Sequence, residues 1–354
     1  MTLLHYITKQ RSEGGREMLA SLIGNVVKND VFNEQGLLVI PANTKLSEIH
    51  IDMIKKHGVT ILPHHLKAPA PKLAPKTNDV VVSHATEEMK DVFVRFRAGE
   101  APSVSEMKTN LIPTIQEAIE FPTLFGLLSG LQAKDDYTFR HNIGVAVIST
   151  MIGKWLGLDS DKLQTLTLAA ALHDIGKVKI EDDILNKPGK FTDEEYGLMK
   201  RHTTYGHEIL SGRNDLPPEV PLVALQHHER LDGRGYPFGI SGDKMTYNSK
   251  IVAVADVFHA MTSNRVYRGE IPFYKVLLQM KEDAFGKMDP FICNLFVHRM
   301  MEMSIGSEVL LSNQATGNIV LVFPDDPIHP LVQVDNQFYD LRQHSQIYIE
   351  RLVG

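Results

Sequence analysis

The chain is poor in cysteine, tryptophan, long apolar runs and excess positive charge. Cys293 is the only cysteine among 354 residues. An intrachain disulfide and a thiolate-built zinc knot are therefore excluded, and a reducing cytoplasm is the expected setting. No stretch reaches the roughly 18 uninterrupted apolar residues of a membrane-spanning helix, so no transmembrane segment is expected. The first residues, Met1 to Arg11, lack the apolar core and cleavage site of a secretory leader. Basic residues do not dominate: 37 Lys and Arg face 43 Asp and Glu, for a net charge of −6. That balance leaves no electrostatic footprint for duplex nucleic acid, although local charge could still hold a small anion. What remains is ordinary for a globular chain, with 43% apolar and 23% charged residues. Cys293, inside Phe-Ile-Cys-Asn-Leu-Phe, reads as a small buried apolar residue.

Histidine and aspartate are what the chain does have, and they are concentrated between His141 and Arg268. In order come His141, Ala-Leu-His173-Asp174-Ile-Gly176-Lys177, His202, His227-His228-Glu229-Arg230, Gly233-Arg-Gly235-Tyr236-Pro237 and Asp256. Neutral imidazole and carboxylate without sulfur suit Fe, Mn or Zn in an open, catalytic site. Adjacent residues on a helix diverge by about 100°, so His173 and Asp174 cannot serve one ion in the same way. Asp174 has two oxygens and can bridge two ions; His227 and His228 diverge likewise. Two metals about 3.5–4 Å apart are the usual apparatus of phosphoester hydrolysis. Lys177 would share the face of Asp174 if the helix continued through Gly176, and would offer a point charge to a phosphate. Asp256 sits in the apolar run Ile-Val-Ala-Val-Ala-Asp-Val-Phe, where a carboxylate is costly unless paired or metal-bound.

These residues resemble the HD-GYP family, a branch of the HD metal-dependent phosphohydrolases. The match covers about Asp135 to Pro290. It includes Tyr137-Thr-x-x-His141, His173-Asp174-Ile-Gly-Lys177, Ile184-Leu-x-Lys187-Pro188-Gly189 and Met199-Lys-x-His202 with Gly206. It continues through His227-His228-Glu229-Arg230, Asp232-Gly233-x-Gly235-Tyr236-Pro237, Ala255-Asp256 and Arg265-x-Tyr267-Arg268. The resemblance implies a cyclic di-GMP phosphodiesterase that yields pGpG, with further processing to GMP left open. It implies two divalent ions, Fe or Mn, held by His141, His173, Asp174, His202, His227, His228 and Asp256. Asp174 and Lys177 would be catalytic. Lys177, Tyr236, Arg265 and Arg268 would meet the substrate, and the Gly235-Tyr236-Pro237 loop is linked to contacts with diguanylate cyclases. Glu229 is expected to orient a histidine.

Two departures qualify the match. Many relatives have Asp where this chain has His259, which puts the supporting role of that position in doubt. Some have Glu where this chain has Tyr137 and use it for a third metal, so Tyr137 favours two. The alternatives are a non-catalytic cyclic di-GMP receptor and a phosphohydrolase for another nucleotide. The intact ligand set argues against the first; the Gly-Tyr-Pro loop with Arg265 and Arg268 argues against the second.

The expected fold is mainly α: an all-helical HD-type catalytic domain flanked by a small N-terminal α/β module and a small C-terminal β module. Residues 1–66 form the α/β module, with strands at 36–40 and 59–62 and a helix from Ser47 to His57. His57, His64 and His65 read as solvated surface residues. Residues 67–85 form a Pro/Ala/Lys linker. Residues 86–305 carry connector helices at 88–97 and 110–119, which could pack on the domain or form a homodimer, and then the catalytic domain. In it, helices at 161–172 and 219–229 deliver the paired ligands, and one at 249–263, capped by Ser249, carries Asp256. Five short strands at 309–311, 318–323, 331–334, 338–341 and 346–352 suggest a small barrel or curled sheet at 306–354, an interaction or packing module.

Overall fold

The computed structural model describes residues 78–119, 137–262, 273–344 and 346–353, and in the N-terminal part residues 22, 25, 27–33, 35, 38–40, 44, 46–59, 61 and 66. The chain divides into two compact units, Met1–Pro75 and Lys76–Gly354.

In the first unit, β1 (Val31–Phe32) pairs antiparallel with β2 (Leu38–Ile40), and α1 (Glu48–Lys56) follows. Ser47 begins that helix, as its position suggests: its N–H donates to His50 Nδ1 at 3.1 Å, so an imidazole closes the first turn. Val39, Ile40, Leu46, Ile51, Ile54 and Ile61 form a small core. The strand expected at 59–62 falls partly outside the described residues, and Val59 and Ile61 belong to no strand. The strand at 31–32 was not anticipated, because two residues carry no alternation to read. His57 ends α1; His64 and His65 lie outside the described residues.

The second unit opens with α2 (Asn78–Ala98) and α3 (Val104–Ala118). The expected linker is thus shorter than 67–85, since 78–85 are already helical. Val81, Val82, Ala85, Met89, Val92, Phe93 and Phe96 are buried in the main core, which gives α2 a packing role within this unit. Burying such apolar side chains stabilises by about 1.5–3 kcal/mol each. Ser103 caps α3 by accepting from Glu106 N at 3.1 Å.

Next come α4 (Tyr137–Trp155), α5 (Ser160–Ala171), a 3₁₀ turn (Ile175–Lys179) and α6 (Asp182–Leu185). They are followed by α7 (Asp193–Lys200), α8 (His202–Ser211), α9 (Glu219–Gln226), α10 (Tyr247–Thr262), α11 (Phe273–Asp283) and α12 (Pro290–Glu302). The centre of the bundle is α4, whose residues from His141 to Gly153 are all buried, with α5 and α10 packed against it. Asp159 starts α5 by accepting from Lys162 N at 2.9 Å. The third ligand helix begins at Tyr247, two residues before the expected start. Thr246 caps it: Thr246 Oγ1 accepts from Ser249 N at 3.2 Å. Ser249 is instead buried in the first turn, with its hydroxyl on Gln226 Oε1 at 3.1 Å.

The C-terminal strands are β3 (Glu308–Leu311), β4 (Thr316–Leu321), β5 (Leu331–Val334), β6 (Gln337–Asp340) and β7 (Ile349–Leu352). They form one antiparallel sheet in the order β6-β5-β4-β3-β7. Among the described residues it is an open sheet rather than a barrel, and this small β module packs on the helices. Val309, Leu311, Ile319, Val332, Leu341 and Ile349 belong to the same apolar core as the helices. Alternate residues of β3 and β4 are buried, so one face is spent on the helical body. Cys293 is buried, as its surroundings suggest, and burial pushes its thiol up to about 12.

Candidate metal centre

The ligand residues occur where helices end or cross. His173 and Asp174 lie just past the end of α5, in the turn before the 3₁₀ segment, so the helix does not continue through them. His202 opens α8 directly after α7 ends, and His227 closes α9. The last carbonyls of a helix have no partner inside it. Three imidazoles use this. His173 Nδ1 lies 2.7 Å from Ala170 O, His202 Nδ1 lies 2.7 Å from Met199 O, and His227 Nδ1 lies 3.0 Å from Ala224 O. Each ring donates Nδ1–H to the carbonyl and leaves Nε2 bare and aimed inward.

Those Nε2 atoms converge on Asp174. Oδ1 of Asp174 lies 3.2 Å from His202 Nε2 and 3.9 Å from His227 Nε2. Its other oxygen lies 3.5 Å from His173 Nε2 and 3.9 Å from His141 Nε2. Asp256 is shared in the same manner: Oδ1 is 3.1 Å from His141 Nε2 and Oδ2 is 3.5 Å from His228 Nδ1. Two potential cation groups result, Asp174-His202-His227-His228 and His141-His173-Asp256. All seven expected ligands are therefore brought together.

The donor chemistry fits cations. His202 Nε2 and His227 Nε2 stand 3.4 Å apart. With both Nδ1 protons committed to carbonyls, these are lone pairs facing each other and a carboxylate oxygen. His173 Nε2 and Asp174 Oδ1 are buried with no hydrogen-bond partner among the described residues. Such an arrangement is unfavourable in an apolar interior unless positive charge sits between the donors. Burial lowers the histidines: His202 falls to about 4 and His228 to about 3, while His173 and His227 are also lowered. The rings are thus neutral and ready to ligate near neutral pH. Burial pushes the Asp174 carboxyl up, but the Lys177 ammonium beside it prevails and holds it well below the usual range. For Asp256, burial is likewise overcome, here chiefly by the His141 imidazole beside it.

Lys177 does reach Asp174, by a different route from the expected continuous helix. The 3₁₀ turn brings residues three apart into line, and Lys177 Nζ pairs with Asp174 Oδ2. Gly176 allows this. A Cβ there would sit 1.9 Å from His202 O, so only glycine lets the turn lie against the start of α8.

Tyr236 closes one side of the centre. Its ring lies 4.6 Å from that of His228, and burial raises its hydroxyl well above the usual range. Tyr196 meets Tyr236 edge-on at 6.5 Å, and Lys200 Nζ lies 4.9 Å over Tyr196 and 5.9 Å over Tyr236. Sequence reasoning missed Tyr196 as a site residue. The available signal was its place on a helix, α7, that buries none of its residues yet leads straight into His202.

Glu229 does something other than orient a histidine. Its Oε1 accepts from Phe238 N at 2.8 Å and Oε2 from Ile240 N at 3.1 Å. The buried carboxylate ties down the loop that carries Tyr236, because two backbone N–H groups there, two residues apart, need an acceptor. His259 is buried on α10 with its Nδ1 3.0 Å from His141 Nδ1. Tyr137 stacks on His141 at 5.7 Å. Arg265 and Arg268 lie outside the described residues.

Residues 127–292 match a family described as "HD domain". That segment is similar to the domains of HD phosphohydrolases. Among curated relatives, it is 31% identical over 255 residues to the cyclic di-GMP phosphodiesterase PA4108 of Pseudomonas aeruginosa, covering 72% of this chain and 61% of that one. It is 36% identical over 207 residues to the 3'3'-cGAMP-specific phosphodiesterase 3 of Vibrio cholerae, covering 55% of this chain and 44% of that one. The chain thus spans less than two thirds of the length of either relative. In fold it is similar to Bd1817, an HDG"Y"P protein from Bdellovibrio bacteriovorus, with a TM-score of 0.53, 16% identity, and coverage of 78% of this chain and 96% of that one. The matched segment contains every ligand described above and the helices from α4 to α11. Among the described residues, no helix is long and apolar enough to cross a membrane.

Proposed function

We propose that this HD domain hydrolyses a phosphodiester of cyclic di-GMP, giving pGpG. One observation carries the reading: the Asp174 carboxylate turns one oxygen to each of two histidine groups. When two divalent ions are bound, they supply a nucleophilic hydroxide at neutral pH and stabilise the charge of in-line displacement. Nitrogen and oxygen donors without thiolate favour Fe or Mn for that task. His141, His173, His202, His227, His228, Asp174 and Asp256 would hold the ions.

The chain's own residues do the rest. Lys177, paired with Asp174, sits where a non-bridging phosphate oxygen would approach and balances its charge. Tyr236 and Tyr196 form an aromatic corner beside His228, a surface on which a guanine stacks, with Lys200 above both rings as a counter-charge. Arg265 and Arg268 are assigned the second phosphate by charge-assisted hydrogen bonds. Phe238, 67% exposed next to Pro237, gives the loop an apolar contact suited to a diguanylate cyclase. A cytoplasmic setting is consistent with a single, buried thiol.

The test is turnover of cyclic di-GMP and of 3'3'-cGAMP by protein loaded anaerobically with Fe(II) or Mn(II). Hydrolysis of cyclic di-GMP to pGpG is expected, with slower cleavage of the hybrid dinucleotide. Tight binding without turnover under either metal would instead make the chain a receptor.

A further inference from the structure

His141 is held differently from the other inward-facing ligand rings. His173, His202 and His227 donate to carbonyls at helix ends. His141 lies within α4, where the helix itself uses the neighbouring carbonyls. Its ring is gripped from α10 instead. Asp256 Oδ1 stands 3.1 Å from His141 Nε2, and His259 Nδ1 stands 3.0 Å from His141 Nδ1. Asp256 and His259 are three apart on one helix and so share a face.

The space for the His259 ring is provided by Gly144, one turn beyond His141 on α4. A Cβ at Gly144 would fall 2.0 Å from His259 Nε2. Both helices therefore contribute to seating this second imidazole, which is itself only 2% exposed.

An imidazole nitrogen that ligates a cation carries no proton, so a neutral His141 ligating through Nε2 must carry its proton on Nδ1. The partner facing that proton must then accept. We propose that His259 is a positioning residue for His141: its Nδ1 accepts the Nδ1–H of His141 and sets the cation affinity of the His141-His173-Asp256 half. A neutral ring is a weaker acceptor than a carboxylate. With three side chains grouped against four, and a neutral ring rather than a carboxylate behind His141, this half is assigned the weaker ion. The inference rests on the metal-centre reading and is independent of the substrate.

The test is a manganese titration of the metal-stripped full chain, followed by elemental analysis and electron paramagnetic resonance. Two ions are expected, bound in a tighter and a weaker step. His259→Leu removes the acceptor and should weaken the second step about 10–100-fold, the usual cost of losing such support. The tighter step should stay unchanged, which a general loss of structure would not permit. His259→Asn retains an acceptor oxygen and should restore much of the weaker step, and His259→Asp should tighten it beyond the unmodified protein. Gly144→Ala displaces the ring without altering it and should reproduce the His259→Leu defect; it carries the test if His259→Leu fails to fold. Equal weaker-step affinity across the His259 series would overturn this role and leave the metal centre intact. An unmodified chain that takes up no manganese would overturn both.

Discussion

The two halves of the metal centre are built by different means. In one, His202 and His227 stand at helix boundaries and are oriented by carbonyls a few residues back in their own segments. In the other, His141 and Asp256 lie inside long helices, and each is oriented by a residue on the opposite helix. The first kind of ligand is nearly self-sufficient: a helix end supplies both the ring's place and its hydrogen-bond acceptor. The second kind depends on how α4 and α10 pack, so it is a tertiary feature. Asp174 joins the halves, with an oxygen in each.

Removing that junction should have the largest effect. Asp174→Asn keeps the size of the side chain but loses the charge and one acceptor oxygen. It should abolish turnover, by at least about a thousandfold given the several kcal/mol that metal activation supplies. The change lies in a turn beyond α5 rather than in a packed apolar position, so thermal unfolding should confirm a folded protein. Equal rates in the two proteins would mean that the halves work without a bridge.

Acid should break the helix-end half. His202 and His228, lowered by burial to about 4 and about 3, are neutral in the folded chain while the same rings in the unfolded chain titrate near 6.5. Between those values the unfolded state binds more protons, so stability falls as pH drops below about 6.5 and continues falling towards about 4. Bound metal should leave over the same window, since protons compete for the ligand nitrogens. Unfolding midpoints and metal content recorded against pH check both; a flat profile down to pH of about 4 would contradict neutral buried rings.

Substitutions outside both halves should have smaller effects and leave metal content unchanged. Arg265→Ala and Arg268→Ala should each weaken cyclic di-GMP binding by about 1.5–3 kcal/mol, the worth of a charge-assisted contact. Tyr196→Ala should raise KM with little change in kcat, within the roughly 1–3 kcal/mol of a stacked base. Titration calorimetry and steady-state kinetics on metal-loaded protein measure both. A fall in metal content in any of the three would place that residue in the centre itself.

The same contrast explains what could be read from the sequence. His173-Asp174 and His227-His228 were legible because apolar-rich helical runs deliver them at their C-terminal ends. Asp256 was legible as a carboxylate in an apolar run. The His259 contact was not, because it exists only once α10 lies against α4. The role of Glu229 was not legible either, because the donors it accepts from, the N–H groups of Phe238 and Ile240, are brought back by a loop whose path the sequence does not state. The C-terminal strands were placed to within a few residues, but their alternation does not say what covers the apolar face, and that turned out to be the helical core.

The central claim is that seven side chains hold two ions with Asp174 between them. Anomalous diffraction from crystals of the manganese-loaded protein tests it most directly. The account predicts two peaks about 3.5–4 Å apart, as in two-metal phosphoesterases, one beside His202, His227 and His228, the other beside His141, His173 and Asp256, each touched by an oxygen of Asp174. A single peak, or two peaks with Asp174 bound to only one, would contradict it.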